Sequence, residues 1–398
     1  MRAGWRYQSL GDVCDVVNGG TPKTGVNEYW GGPHLWITPA EMGRRPTPYV
    51  SDTERKITEL GLRDSSARLL PSGSVILSSR APIGHLMINT LPMATNQGCK
   101  GLVPRDGLDA KYLYYFLSSI VDLLNDLGSG ATFKELSGGK LKEVQIPVAP
   151  ASVQKRIVAI LDEAFEGIAT AKANAEAGRL LANEVLSTAK RNGFAELLAA
   201  YSTTELGDVC DFENGDRGKN YPGKQHRVSV GIPFINAGHL TEDGIDYSSM
   251  DYISPERFDL LGNGKVRPND ILFCLRGSLG KFSSVGGLNK AAIASSLVII
   301  RPKQGLDADY LLSYLSSALC AEQIDRFKGG AAQPNLGAKD LKRFELPFPP
   351  ANVQREFANQ MLELESRARQ LADAYAAKLY ALDDLKKSLL HHAFSGQL

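Results

Sequence analysis

The stretch LKEVQIPVAPASVQKRIVAILD at residues 141–162 returns as LKRFELPFPPANVQREFANQML at residues 341–362. In both copies a short apolar run leads into prolines, and beyond Pro150 and Pro350 the composition changes to Ala, Leu, Glu, Lys and Arg. Proline is tolerated at the start of a helix but not in its interior, so each copy marks a change from strand to helix. The sequence therefore predicts two equivalent strand-to-helix junctions, 341 − 141 = 200 residues apart.

The two junctions belong to a longer internal repeat. LGDVCD occupies residues 10–15 and 206–211, and GLDAKYL at residues 107–113 returns as GLDADYL at residues 305–311. The offset drifts from 206 − 10 = 196, through 305 − 107 = 198, to 354 − 154 = 200, and small insertions in loops explain the drift. This period is too long for a solenoid, so each copy is a domain with its own core.

Each copy begins with a region rich in Gly, Pro and short apolar runs. Runs such as VIL at 75–77 and ILF at 271–273 are bounded by the turn sequences PSG and PND. This pattern predicts short strands in an irregular, mostly β domain. A short helix is expected at residues 111–117 and 309–315, followed by a glycine-rich loop at 128–139 and 329–337.

A single apolar stripe runs along each long helix. The stripe consists of Val153, Ile157, Ile160, Ala164, Ile168, Ala171 and Ala175 in the first helix, and Val353, Phe357, Met361, Leu364, Ala368, Leu371 and Tyr375 in the second. Steps of three and four predict helices, of roughly 40 residues or about 60 Å at 1.5 Å per residue. Ser152 and Asn352 are the predicted N-caps. Neither helix can bury its stripe alone, so each is the expected partner of the other.

Chain connectivity favours antiparallel pairing of these helices. The first helix ends near Arg191 and the second β-rich domain begins near Thr204, so short connections require the second helix to start beside the end of the first. The expected fold class is α+β: two mostly β domains separated by two long antiparallel helices that form a coiled coil, with a pseudo-two-fold internal repeat. The C-terminal residues 393–398 are expected to return to the first domain, in the place that residues 193–198 occupy beside the second.

The predicted boundaries follow directly from these patterns. Residues 1–150 form the first β-rich domain, 151–192 the first long helix, 193–350 the second β-rich domain, and 351–398 the second long helix with the C-terminal tail.

Composition restricts the class of protein. The five cysteines are far apart and form no CxxC pair, so neither a disulfide framework nor a zinc site is predicted. The N-terminus lacks the apolar core of a signal peptide, and no apolar stretch is long enough to span a membrane, so a soluble, cytoplasmic protein is expected. The formal net charge of +1 is only weak support for nucleic-acid binding, which usually accompanies a basic excess.

The sequence resembles the DNA-specificity subunits of type I restriction–modification systems. The resemblance is carried by LGDVCDVVNGGTPKTG at residues 10–25, ILSSRAPIGHLMI at 76–88, TNQGCKGLVP at 95–104, the two strand-to-helix junctions, and LLHHAFSGQL at 389–398. It covers essentially the whole chain in the right order. No single motif is decisive, but together they are specific.

The resemblance implies a function and a set of partners. Each β-rich domain would be a target-recognition domain, and together they would read a bipartite, asymmetric site in double-stranded DNA. Two methyltransferase subunits would bring S-adenosylmethionine, and two restriction and translocase subunits would bring ATP and Mg²⁺. The chain itself would catalyse nothing and hold no cofactor or metal.

The sequence agrees with a non-catalytic role. It lacks the Asn-Pro-Pro-aromatic or Asp-Pro-Pro-aromatic stretch with which adenine methyltransferases hold a flipped base. None of its Gly-Lys pairs is followed by Ser or Thr, so a phosphate-binding P-loop is absent, and HExxH and GxSxG are absent as well.

Candidate DNA contacts follow from side-chain chemistry. Arginine reads guanine, Asn and Gln read adenine, and lysine anchors phosphates. The first domain offers Lys23, Arg44, Arg45, Arg80, Asn96, Gln97, Lys100 and Lys134, and the second offers Arg217, Lys219, Lys224, His226, Arg227, Arg276, Lys281, Asn289 and Gln333. An arginine or lysine in a loop is, however, more often simply solvated.

Two of these candidates match across the repeat, since 276 − 80 = 196. Arg80 and Arg276 each follow an apolar run and precede a short turn that ends in glycine. The alternative is that both are structural anchors to a carboxylate. Gln97 has Ser295 near its equivalent position, so the Asn-Gln block is not shared, which would suit two different target sequences.

Two other functions remain open at the level of sequence. One is a duplicated hydrolase, for which the repeated acids Asp12 and Asp208, and Asp15 and Asp211, are the available groups, although helix capping in a domain-opening turn is their simpler role. The other is a bivalent scaffold protein that does not bind DNA.

Overall fold

The chain divides into two compact units. The structure is a computed structural model that describes residues 4–130, 134–241, 244–330 and 334–398. The first unit comprises Met1–Glu176 together with Ala377–Leu398, and the second comprises Ala177–Ala376. Each unit therefore combines one β-rich domain with a segment of each long helix, and the predicted α+β class is confirmed.

The first half of the chain alternates short strands with short helices before the first long helix. Its elements are β1 (Arg6–Ser9), α1 (Leu10–Val13), β2 (Cys14–Asn18), β3 (Trp30–Ile37), α2 (Pro39–Met42), β4 (Tyr49–Val50), β5 (Arg55–Ile57), α3 (Glu59–Arg63), β6 (Val75–Ser78), β7 (Leu86–Asn89), β8 (Met93–Thr95), β9 (Cys99–Pro104), α4 (Ala110–Ser119), α5 (Val121–Leu127), α6 (Gly138–Glu143), β10 (Gln145–Val148) and α7 (Ala151–Ala200).

The main sheet of the first unit has the strand order β2-β9-β6-β7-β4, and a second sheet has the order β5-β3-β8. The central pairs β2-β9, β9-β6 and β6-β7 are antiparallel. One face of the main sheet packs on α4, where Tyr112 is fully buried and donates a hydrogen bond to the Pro147 carbonyl at 2.6 Å. Strand β10 and the helix α7 that follows are thereby tied to the sheet.

The second half of the chain repeats this pattern. Its elements are β11 (Thr203–Glu205), α8 (Leu206–Val209), β12 (Cys210–Asn214), β13 (Arg227–Val228), β14 (Ile232–Ile235), β15 (Leu240–Thr241), β16 (Gly244–Ile245), β17 (Asp251–Ile253), α9 (Pro255–Asp259), β18 (Lys265–Val266), β19 (Ile271–Cys274), β20 (Phe282–Ser284), β21 (Ala291–Ile293), β22 (Leu297–Pro302), α10 (Ala308–Leu315), α11 (Ala318–Phe327), α12 (Ala338–Lys342), β23 (Glu345–Pro347) and α13 (Ala351–Ser395).

The main sheet of the second unit has the order β12-β22-β19-β20, and the second sheet has the order β13-β17-β14-β21-β18. Tyr310 of α10 occupies the place of Tyr112 and donates to the Pro347 carbonyl at 2.9 Å. The duplicated sequence therefore produces a duplicated hydrogen-bonding frame as well as a duplicated core.

The long helices pair antiparallel within each unit, as predicted. The pairs in contact are Phe165 with Lys386 and Lys172 with Asp383 in the first unit, and Gly178 with Tyr375 and Lys190 with Glu365 in the second. In each unit, residues farther along the first long helix contact residues nearer the start of the second. The stripes are buried where the helices join the domain cores, at Ile157, Phe357 and Met361, whereas Leu371 farther along the second stripe is 44% exposed.

The first long helix is longer than the sequence indicated. It continues to Ala200 and does not end near residue 192. Gly193 lies inside this helix. A Cβ there would lie 2.6 Å from the ring of Phe357, so the glycine allows that ring to approach the helix. The next turn is then held by Phe194, which is buried in the second core.

The N-cap prediction was also wrong. The long helices begin at Ala151 and Ala351, so Ser152 and Asn352 lie inside the first turn. The Pro150 carbonyl accepts from the backbone N–H of Val153 at 2.8 Å and therefore occupies the capping position. Proline fits there because it has no backbone N–H that would need an acceptor.

The C-terminal end of the second helix packs into the first domain. Phe394 lies 5.1 Å from the ring of Tyr112 and 5.4 Å from that of Phe116, and Leu390 and Ala393 are buried in the same core. Phe194 holds the matching place in the second core, 5.7 Å from Tyr310. The predicted return of the C-terminal segment to the first domain is confirmed.

A buried glutamine anchors the first turn of each long helix. Gln154 accepts from the backbone N–H of Asp109 at 2.9 Å and donates to the carbonyls of Gly107 at 2.8 Å and Ala149 at 2.7 Å. Gln354 makes the same three bonds to Asp307, Gly305 and Pro349, at 2.9, 3.0 and 2.8 Å. We call these two side chains the glutamine anchors.

Among the described residues no helix is long and apolar enough to cross a membrane. All five cysteines are buried and free.

We expect Gln154→Met to lower the free energy of unfolding, because the substitution leaves three backbone groups without a partner and each costs about 1–3 kcal/mol when buried. Urea unfolding followed by circular dichroism measures the effect. The control is Gln360→Met, at an exposed position of α13. Equal midpoints for the two variants would contradict a structural role for the anchor.

The thiols should be protected from alkylation at pH 9 in the folded protein. Burial raises the pKa of Cys14, Cys99, Cys210 and Cys320 to about 12 and raises that of Cys274 as well. A free thiol ionises near pH 8.5, so the unfolded chain loses protons that the folded chain keeps, and stability falls as pH rises above that value. Mass spectrometry after iodoacetamide treatment should find labelling only in urea, and rapid labelling of any cysteine without urea would contradict this.

Candidate nucleic-acid interface

One end of the main sheet in each unit collects loops that carry many of the candidate residues. In the first unit, Asn18 and Leu77 both lie opposite Lys100, so β2 and β6 end where β9 begins. In the second, Asn214 and Phe273 lie opposite Val298 in the same way. We call residues 19–25, 79–85, 96–98, 128–130 and 134–136 the first loop edge, and residues 215–221, 275–281, 294–296, 328–330 and 334–336 the second loop edge.

A tight turn presents the matched arginines at these edges. The backbone N–H of Ser78 donates to the carbonyl of His85 at 2.8 Å, and Gly84 closes the turn with a φ of 114°. In the second unit the bond from Cys274 to Lys281 measures 2.7 Å, and Gly280 has a φ of 82°. Only glycine adopts such values without strain. Arg80 and Arg276, near the start of each turn, are exposed.

The glycine-rich loop packs against each arginine. Its two arms are joined by paired backbone hydrogen bonds between Ser129 and Glu135, of 3.0 and 2.9 Å, and between Gly329 and Asn335, of 2.9 Å each. A backbone bridge then links Glu135 to Arg80, and another links Asn335 to Arg276. The turn-closing hydrogen bond and the loop bridge are therefore shared by the two units, although the Ala81–Pro82 peptide is cis in the first turn and Gly277 has a φ of 81° in the second.

The side chains around the two arginines differ. Arg80 Nε lies 3.1 Å from Glu135 Oε2, and Lys100 Nζ lies 3.9 Å from Glu135 Oε1. Lys100 is only 5% exposed, and burial lowers its pKa. The direct DNA contact predicted for Lys100 stays a prediction, and the structure places this side chain in the interior, with its ammonium group 3.9 Å from the Glu135 carboxylate. The alternative role for Arg80, an anchor to a carboxylate, is present in the structure.

Asn96 and Gln97 lie at the first loop edge and share a hydrogen-bond network. Asn96 Nδ2 donates to Thr21 Oγ1 at 2.9 Å, and Thr21 donates in turn to Gln97 Oε1. Gly98 lies between this network and Arg80. A Cβ on Gly98 would lie 3.1 Å from Asn96 Oδ1 and 3.8 Å from Arg80 Cβ. Amide, hydroxyl and guanidinium groups are thus brought together on one surface, as readers of base edges require.

The second loop edge carries a different set. Arg217 stands where the first unit has Thr21, and its Nη2 donates to the Ser295 carbonyl at 3.1 Å. Ser295 is the counterpart of Gln97, so at this edge an arginine replaces the Thr21 hydroxyl and a serine replaces the Gln97 amide. Lys219 and Lys281 are exposed nearby on the same set of loops.

A polar cleft of about 530 Å³ adjoins Arg217 and is lined in part by Asn214, Asp216 and Asn263. The Asp216 carboxylate accepts from the backbone N–H groups of Gly218 at 2.6 Å and Gly262 at 2.8 Å. These bonds lower the pKa of Asp216, which stays ionised and shapes the loop.

Several other candidates are engaged within the domains. Arg44 binds Glu54, and Arg45 binds the buried Glu41 and the Asp52 carbonyl. Arg227 stacks 3.9 Å from the ring centroid of Phe234 and lies 3.7 Å from Asp251, while His226 contacts Arg257. These side chains would have to give up a partner in order to bind DNA.

The remaining candidates are placed as follows. Lys23, Lys134 and Lys224 are exposed, and the first two lie on the first loop edge. Asn289 lies in the turn that follows β20, at the opposite end of the sheet from Arg276. Gln333 lies outside the described residues.

Sequence reasoning missed Thr21, Glu135 and Asp216. Glu135 could have been found through the repeat, since it aligns with Asn335 at the offset of 200 that holds for the adjoining junction. Thr21 could have been found as the counterpart of Arg217. No comparable signal marks Asp216, whose role depends on a backbone turn.

Three of the four repeated acids, Asp12, Asp15 and Asp211, have structural partners. Ser9 and Asp12 form a capping box at the start of α1. Asp15 accepts from Arg105 at 2.6 Å, and Asp211 lies 3.7 Å from Lys303. Among the described residues no group of His, Cys, Asp or Glu is arranged to hold a metal ion.

Comparison with known proteins identifies a domain that occurs twice. The family model described as the type I restriction modification DNA specificity domain matches residues 3–177 and again residues 200–371. The chain is 29% identical over 371 residues to the type I restriction enzyme MjaIX specificity subunit of Methanocaldococcus jannaschii. That match covers 89% of this chain and 85% of the relative.

Two solved structures share the fold. A chain from a study of complex assembly and conformational transition in the type I R-M system has a TM-score of 0.81 at 20% identity, covering 100% of this chain and 99% of that one. The HsdS subunit from Thermoanaerobacter tengcongensis has a TM-score of 0.64 at 20% identity, covering 100% and 98%.

Two lysines at opposite ends of the second main sheet test the location of the interface. We expect Lys281→Ala to weaken duplex DNA binding and to reduce the slope of log K against log salt by about one, because one phosphate contact is lost. Lys303→Ala, at the far end of the sheet, should leave the slope unchanged. Fluorescence anisotropy over a salt series measures both, and an equal effect of the two substitutions would place the interface elsewhere.

Proposed function

Because the chain belongs to the type I restriction modification DNA specificity family, we propose that its two loop edges read the two parts of a bipartite, asymmetric site in double-stranded DNA. The chain is a DNA-recognition subunit and not itself an enzyme. The observation that carries the proposal is the pair Arg80 and Arg276, presented by equivalent backbone turns.

Unlike surroundings of these arginines support an asymmetric target. At the first loop edge the neighbouring groups are a carboxylate, two amides and a hydroxyl, and at the second they include Arg217 and Lys219. Each base pair presents its own pattern of donors and acceptors in the major groove. Two surfaces with different donors and acceptors therefore favour different base sequences.

The low net charge is compatible with this role. Exposed cations stand on the loop edges, whereas acids such as Asp15 and Asp211 are paired at the opposite ends of the sheets. The attraction that binds phosphates depends on the local surface, so a basic edge does not require a basic chain.

We further propose that the chain acts in the cytoplasm as a scaffold for two methyltransferase subunits and two restriction and translocase subunits. S-adenosylmethionine, ATP and Mg²⁺ would be carried by those partners, and this chain would hold no cofactor. Exposed apolar side chains on the long helix, namely Leu180, Leu181 and Val185, support a protein contact, because such clusters mark interaction surfaces.

Neither a duplicated hydrolase nor a scaffold without a DNA role is favoured. Asp12 is used as a cap, and Asp15 and Asp211 as ion-pair partners. A specificity domain accounts for both halves of the chain.

The decisive experiment is co-expression with the methyltransferase subunits, followed by mapping of the methylated positions in host DNA. We expect a motif of two different parts separated by a fixed gap. Arg80→Ala should relax one part and Arg276→Ala the other, with discrimination at the affected base pair reduced by about 1–3 kcal/mol. A continuous motif, or relaxation of the same part by both variants, would contradict the proposal.

A further inference from the structure

We propose that Glu135 and the buried Lys100 form a positioning pair that orients Arg80 for base recognition, a device that the second loop edge lacks. This inference rests on the proposed function and adds to it a specificity-determining pair in the first domain. Neither residue needs to touch DNA.

The geometry leaves the reading end of Arg80 available. Glu135 Oε2 lies 3.1 Å from Nε, the atom nearest the backbone side of the guanidinium group. The two Nη groups then remain for a bidentate contact to guanine O6 and N7. With Arg80 47% exposed, the ion pair restrains the guanidinium group without burying it.

Lys100 makes this arrangement tolerable beside DNA. A lone carboxylate at a surface that meets phosphates would be repelled by them. The ammonium group of Lys100 lies 3.9 Å from the other oxygen of Glu135 and offsets that charge. Burial of an ammonium is costly unless an opposite charge accompanies it, so Lys100 and Glu135 depend on each other. The lowered pKa of Lys100 reflects this burial.

The repeat shows that the frame does not need the pair. The position of Lys100, opposite Asn18, corresponds to Val298, opposite Asn214. The position of Glu135 corresponds to Asn335, with the same backbone bridge to its arginine. One positive and one negative charge are thus absent together in the second unit. Their shared presence in the first unit indicates a role in side-chain orientation and not in folding.

The repeat also supplies the variant that tests the proposal. The double substitution Lys100→Val with Glu135→Asn installs the pair of side chains found in the second unit. The protein is tested with its methyltransferase subunits, as the rate of methyl transfer to duplexes that carry each single base change in either part of the motif. Asp15→Asn, which breaks the Arg105 ion pair at the far end of the same sheet, is the matched control.

We expect discrimination at one base pair of the first part to fall by about tenfold in the double variant, within the range that one bidentate contact supplies. Discrimination in the second part should be unchanged. The salt dependence of binding should also be unchanged, since the substitution removes no net charge. A lost structural support would instead lower binding to every duplex alike.

The outcomes separate the two proposals. A wild-type complex without a bipartite motif would overturn the proposed function. A wild-type motif together with unaltered discrimination in the double variant would overturn the positioning role alone. If the double variant does not fold, Glu135→Gln is tested instead, because residue 135 is 39% exposed and the glutamine amide oxygen leaves the buried ammonium of Lys100 with a polar neighbour. Unaltered discrimination in that variant would likewise overturn the positioning role.

Discussion

The fold depends on how each long helix is fastened to the sheet that precedes it. At both junctions a buried glutamine satisfies one backbone N–H and two carbonyls that lie in the loop before α4 or α10 and in the turn before the long helix. Buried backbone groups without partners are strongly unfavourable, so these bonds fix where the helix starts. Without these bonds, the orientation of the long helix relative to its own domain would be less well defined.

In both units the backbone features are repeated, whereas the side chains at the loop edges differ. The tyrosine bonds to Pro147 and Pro347, the glycine turns and the loop bridges are repeated in geometry. Variation is concentrated in the side chains of the loop edges and in a few positions beneath them. Gene duplication followed by substitution at such positions changes what a surface recognises without changing how the surface is held.

The sequence predicted the features that repeat and missed those that depend on local packing. The duplicated junctions, the antiparallel helices and the return of the C-terminal segment follow from periodicity and connectivity. The end of the first helix was placed near residue 192, whereas the helix runs to Ala200 and packs Phe194 and Leu197 into the second core. Lys100 was assigned to the surface because burial of a lysine cannot be seen without its partner, Glu135. Arg45 likewise has a partner that the sequence does not reveal, since Glu41 binds it from within the domain.

The placement of Phe394 in the first core has a consequence for the order of events on the ribosome. Domains generally fold as units while the chain is synthesised, beginning from the N-terminus. Here the first domain cannot complete its hydrophobic core until residues 390–394 have left the exit tunnel, long after the other residues of that core have been made. The second core draws on residues 194–361 and is complete earlier. The nascent protein therefore completes the second core before the first. A chain that ends before residue 390 keeps an incomplete first core.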